Sequence, residues 1–69
     1  MRSTAAEIAE LLRLMPNVEA PSDVRAAWFE RKAQMFERIA EAGGPDAADA
    51  HRLALGARAR ATRIRLRAG

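Results

Sequence analysis

The chain has no cysteine and no tyrosine, and its only aromatic side chains are Trp28, Phe29 and Phe36. Without cysteine, neither a disulfide nor a thiolate metal site can brace the fold. Alanine dominates the apolar fraction instead. It lets helices approach closely but buries little area per residue. Hydroxyls are confined to Ser3, Thr4, Ser22 and Thr62, and the first three stand where helix caps are expected. His51 is the sole imidazole. No set of nucleophile, base and orienting group can be assembled, so the residues point away from an enzyme and supply no catalytic residue. Asp46 and Asp49 project from other sides of the same helix as His51, so no metal-ligand spacing appears and His51 is expected to face solvent. Gly43-Gly44-Pro45 lacks the preceding strand and the Lys-Ser/Thr pair of a phosphate loop. No cofactor and no small-molecule substrate is expected.

Long apolar runs are also missing. Nothing approaches the roughly 20 residues of a membrane span, and Glu7 and Glu10 interrupt the stretch that a signal peptide would need. The expectation is a cytoplasmic protein without a membrane partner. At 69 residues the chain makes one small domain, 1–69, whose core is marginal. Oligomerisation is the expected stabiliser, with a dimer favoured. The last twenty residues lack acid altogether. Residues 1–49 hold six Lys/Arg against nine Asp/Glu, a net −3, whereas residues 50–69 hold six arginines and no carboxylate, a net +6. An acidic body with a basic end is the strongest compositional signal in the chain.

The stretch from Ser22 to Ala42 carries all three aromatics and organises the rest. Pro21 forces an extended entry, Ser22 and Asp23 suit a helix start, and Gly43-Gly44 suits its end. At about 100° per residue, Val24, Trp28, Met35 and Ile39 form one apolar stripe, with Phe29, Ala33, Phe36 and Ala40 beside it. The face is about 180° wide, enough to touch two other helices. Arg25 and Lys32 fall near its middle, as stems lying over apolar surface or as a seam between two contact surfaces. Asp23, Glu30, Glu37 and Glu41 form an acidic stripe opposite.

Ahead of this helix, Thr4 and Glu7 have capping-box spacing, and Ala5, Ile8, Leu11, Leu12 and Met15 share a face. A helix over about 4–15, ended by Pro16, is expected to cover the Trp28/Phe29 region. The linker from Pro16 to Pro21 is bracketed by prolines, with Val18 expected to tuck inward. It lacks the tight turn of a DNA-reading helix-turn-helix, and the following helix is acidic outside. After Gly43-Gly44, Pro45 and Asp46 suit the start of a last helix over about 45–66. One stripe of it is Ala50, Leu53, Ala54, Ala57, Ala61 and Ile64. A second, nearly opposite, is Ala48, Leu55, Ala59, Thr62 and Leu66. Gly56 interrupts helix propensity and is a candidate for close helix approach.

These patterns predict an all-α fold: a short N-terminal helix on a long antiparallel hairpin, a three-helix bundle that oligomerises. The function that fits is a small non-enzymatic interaction or assembly protein, acting through oligomerisation and protein partners. The candidate oligomer or partner face comprises Trp28, Phe29, Lys32, Phe36, Leu55 and Leu66. The alternative is a nucleic-acid accessory factor using the basic end, 58–69, with Arg52, Arg58, Arg60, Arg63, Arg65 and Arg67 as contacts. No aromatic lies among those arginines for stacking, and no Asn or Gln for reading adenine edges. The competing expectation lays Arg60, Arg63 and Arg67 along the acidic stripe of the central helix, in the same chain or a neighbour.

Overall fold

The computed structural model describes residues 3–68. Its elements are α1 (Thr4–Arg13), α2 (Ser22–Ala42) and α3 (Ala47–Ala68). The fold is all-α: α2 and α3 form a long antiparallel hairpin, and short α1 lies on α2.

Local chemistry explains most boundaries. Ser3, not Thr4, caps α1: its hydroxyl accepts from the Ala6 N–H at 3.1 Å. That moves the cap one residue upstream of the expected capping box. α1 also stops at Arg13, two residues short of the expected end, with Leu14 as its cap. Pro16 disfavours helical geometry for Met15 before it, so the last turn closes early. Ser22 is the first residue of α2 rather than its cap. Pro21 holds the cap position in extended geometry without a side-chain bond. Asp23 still places negative charge in the first turn of α2. α2 ends where expected, because Gly43 and Gly44 adopt φ of +77° and +91°, a region glycine enters without steric cost. Pro45 and Asp46 form the turn, and α3 begins two residues later than expected. The Asp46 carbonyl accepts from the Ala50 N–H at 2.9 Å.

The broad face of α2 does meet two helices, but with two different chemistries. Toward α1, Trp28 and Met35 pack with Leu11, and Ile8, Phe29, Phe36 and Ile39 lie against that cluster. The Trp28 indole N–H donates to the Leu11 carbonyl at 2.8 Å. That carbonyl belongs to the last turn of α1, where acceptors have no partner within the helix. Arg31 and Arg38 reach Glu10 and Glu7 across the same junction, at 3.3 and 3.1 Å. Toward α3, the contact is a seam of six buried alanines: Ala26 and Ala33 of α2 against Ala50, Ala54, Ala57 and Ala61 of α3. Small side chains bring the two backbones close along their whole length.

Several expected positions change. Periodicity assigns Leu12, Met15 and Val24 to apolar faces, but they are 59%, 57% and 47% exposed. Val18 does not tuck inward; it is 89% exposed. Leu53 is half-exposed beside the alanine seam of α3. Gly56 faces open space, with nothing within 4 Å of a methyl group placed there, so it permits no close approach.

Candidate interaction surfaces

The six arginines of α3 divide by where the alanine seam turns them. Arg58 and Arg65 lie on the flank facing α2. Arg58 donates to both carboxylate oxygens of Glu37 at 2.7 Å. Arg65 donates to both of Glu30, at 3.0 and 2.8 Å. Moving seven residues up α3 moves the partner seven residues down α2, which is the antiparallel register. These bonds hold the Glu30 and Glu37 carboxyls below the usual carboxylate range and raise both guanidinium groups further. The acidic stripe is therefore met within the chain, but not by Arg60, Arg63 and Arg67. Nor do Glu30 and Glu37 lie opposite the apolar face. They border the α3 contact, because α3 packs on Ala26 and Ala33 rather than on the aromatic stripe.

The other four arginines have different surroundings. Arg52 pairs with Asp49 one turn back on α3. The Arg60 guanidinium sits over the Phe29 ring, 5.1 Å from its centroid. Arg63 and Arg67 are exposed, and among the described residues no carboxylate pairs with either.

The candidate partner face separates into three places. Trp28 is internal at 7% exposure, held under α1. Phe29 and Phe36 are half-buried, one heptad apart on the side of α2 that runs between α1 and α3. Phe29 meets Trp28 edge-on, with centroids 5.0 Å apart. Lys32 lies above them, its Nζ 5.7 Å from the Trp28 ring and 6.0 Å from that of Phe29. Leu55 and Leu66, at 58% and 75% exposure, lie on the far side of α3.

Two grooves open on the Phe29/Phe36 side. One lies beside Phe29, walled by Met15, Val18, Arg25 and Arg60. The other lies beside Phe36 and Ile39, walled by Ile8 of α1 and Leu53 of α3, with Asp46 and Asp49 at its edge. They exist because α1 and α3 both pack on α2 without closing on each other. Arg25 is fixed at the first groove by the linker backbone: its Nε donates to the Ala20 carbonyl at 3.0 Å. Arg25 and Lys32 thus stand between the surfaces that α1 and α3 cover.

Sequence reasoning missed Met15 and Val18 as walls of the first groove. The available signal was the pair of prolines, Pro16 and Pro21, which keeps the linker from folding back over its own apolar residues. His51 is exposed, and the described residues hold no group of three His, Cys, Asp or Glu able to bind a metal ion. No helix among them is long and apolar enough to cross a membrane. Comparison with protein-family models, with curated proteins and with solved structures finds no match to this chain.

Proposed function

We propose that this chain is a small non-enzymatic interaction and assembly module that takes an acidic, amphipathic segment of a protein partner in the Phe29 groove beside α2. One observation carries this reading. The Phe29 groove has Met15, Val18, Trp28 and Phe29 among its walls and is lined by Arg25 and Arg60, with the Lys32 ammonium near the Phe29 ring, and among the described residues no carboxylate pairs with these three cations. By contrast, Arg31, Arg38, Arg52, Arg58 and Arg65 each have a carboxylate partner. Cations without a carboxylate partner around half-buried aromatic and exposed aliphatic surface suit a helix that presents apolar anchors flanked by Asp or Glu. The aromatic rings give such a site its anchoring area.

The alternative partner is nucleic acid. Its support is Arg63 and Arg67, exposed near the end of α3 and without a carboxylate partner among the described residues. Pairing of Arg58 and Arg65 with glutamates removes two of the contacts that this reading needs.

The two separate in one set of titrations. The probes are a labelled helical peptide with leucines at i, i+4 and i+7 flanked by glutamates, a duplex DNA and a single-stranded RNA. Each is read by anisotropy at about 50 and about 200 mM salt. The expected result is saturable peptide binding that weakens with salt and is lost in Val18→Glu and in Arg60→Glu. Absence of peptide binding at low salt overturns the reading. Nucleic-acid binding that survives Val18→Glu but disappears in Arg63→Gln/Arg67→Gln replaces it.

A further inference from the structure

Among the described residues, the outward face of α3 takes no part in the packing on α2. Ala48, Arg52, Leu55, Ala59, Thr62 and Leu66 are all exposed there. They recur at alternating steps of four and three, the spacing by which one helix seam meets another. This stripe runs opposite the buried alanines of the same helix. We infer that a second copy of the chain occupies it, with the two α3 helices packed antiparallel. The inference rests on the proposed role as an assembly module and names that assembly's geometry.

Size and charge together choose this occupant and this direction. In the antiparallel register Leu55 faces the second copy's Ala59, Ala48 faces its Leu66, and Arg52 faces its Thr62. Each large side chain meets a small one, so the helices interdigitate without a void. On one flank of the stripe lie Asp49 and Arg63, nearly symmetric about its middle. Antiparallel pairing sets each Asp49, which already meets Arg52 of its own chain, beside the Arg63 of the other copy, so that one carboxylate bridges two guanidinium groups, whereas parallel pairing aligns like charges. On the other flank, Arg58 and Arg65 are already matched by Glu37 and Glu30 of their own chain. A second copy therefore approaches without confronting two bare rows of arginine. The hairpin's own ion pairs prepare the face that the second copy uses.

The contact is short. From Ala48 to Leu66 it runs about 27 Å, with two leucines per chain as its only large apolar side chains. That places it at the small end of specific interfaces, with a dissociation constant in the high micromolar range expected, about 10⁻⁴ M.

The chain lacks cysteine, so single introduced thiols report the geometry cleanly. Leu55→Cys and Ala59→Cys proteins are oxidised separately and as a mixture, while sedimentation follows the mass of the unaltered chain with concentration. The expected result is a mass rising toward that of a dimer. In the mixture, the disulfide joining a Leu55→Cys chain to an Ala59→Cys chain is expected in clear excess over the disulfide joining two identical chains. Leu55→Asp/Leu66→Asp, changing only exposed side chains, is expected to stay monomeric with unchanged helix content. Predominant cross-links between identical chains, or a dimer that tolerates Leu55→Asp/Leu66→Asp, overturn the α3 pairing but leave assembly standing. A monomer at every concentration up to about 1 mM overturns self-assembly altogether. Peptide binding in the Phe29 groove is judged by its own titration in every case.

Discussion

α2 is held on two sides by two kinds of contact. The α1 side relies on a few large side chains: Trp28, Met35 and Leu11, one buried hydrogen bond, and two exposed ion pairs. The α3 side uses no large buried side chain. It relies on six alanines along the hairpin, bordered by two bidentate Arg–Glu pairs. The first contact concentrates its stabilisation in Trp28, and the second spreads it thinly along two backbones. The difference predicts opposite sensitivities. The α1 junction should fail when a large side chain is removed, and the hairpin should fail when a small one is enlarged.

Trp28→Ala probes the first sensitivity hardest. It should cost about 3–5 kcal/mol, read by circular dichroism through a urea titration because the fluorophore is lost. Hydrogen exchange should show α1 losing protection before α2 and α3. Equal loss across all three helices would mean that the two contacts are one cooperative unit, and the comparison would fail. Trp28→Phe is the finer version. It keeps most of the bulk and leaves the Leu11 carbonyl without its donor, a loss of about 1–3 kcal/mol.

The hairpin takes the reverse substitution. Ala33 is fully buried and Ala57 is 5% exposed, so Ala33→Leu or Ala57→Leu should destabilise by about 1–3 kcal/mol through overpacking. The same change at Ala59, on the outward face, should leave the melting temperature of the monomer nearly unchanged. Gly56→Ala should move the other way. Its added methyl meets open space, and helix propensity alone is expected to raise stability by about 1 kcal/mol in chemical denaturation. A loss there would show that the glycine serves a contact after all.

The smallest effect is on pH. Pairing with Arg65 and Arg58 lowers the carboxyl pKa of Glu30 and Glu37 in the folded chain. A group with a depressed folded pKa contributes stability that is present above its unfolded value and is lost as pH falls through the folded one. The hairpin should therefore weaken only below the usual carboxylate range, with no change between neutral and mildly acidic pH. Urea midpoints at about pH 7 and about pH 3 check this. The acid-induced drop should shrink in Glu30→Gln/Glu37→Gln. Both groups are partly exposed, so the effect is modest.

Much of this architecture is legible from residue order, and the reasons are local. Both ends of α2 follow from backbone chemistry at Pro21 and Gly43, which needs no knowledge of the rest of the chain. The alanine stripe of α3 follows from periodicity on one helix. The ends that moved, Ser3 for Thr4 and Arg13 for Met15, depend on which of two nearby residues makes the better cap, and spacing alone does not separate them. The candidate surfaces were less legible. Trp28, Phe29, Lys32 and Phe36 read as one face, yet α1 covers the first, while Phe29 and Phe36 each line a separate groove. Periodicity gives the width of a face but not where a neighbouring helix stops.

Residue order alone determined that the chain folds as three helices in an antiparallel hairpin with a short leading helix. It also determined that the chain carries no thiol. Those properties live in residue types and in spacing along one helix. Tertiary structure decided which charges meet across the helices. Arg58 and Arg65, not Arg60, Arg63 and Arg67, meet the acidic stripe, because the seam of Ala26 and Ala33 sets the rotation of α3 about its own axis. A sequence specifies angles around each helix separately. The angle between two helices is fixed only when their side chains pack, and the place of Arg60 over Phe29 follows from that packing.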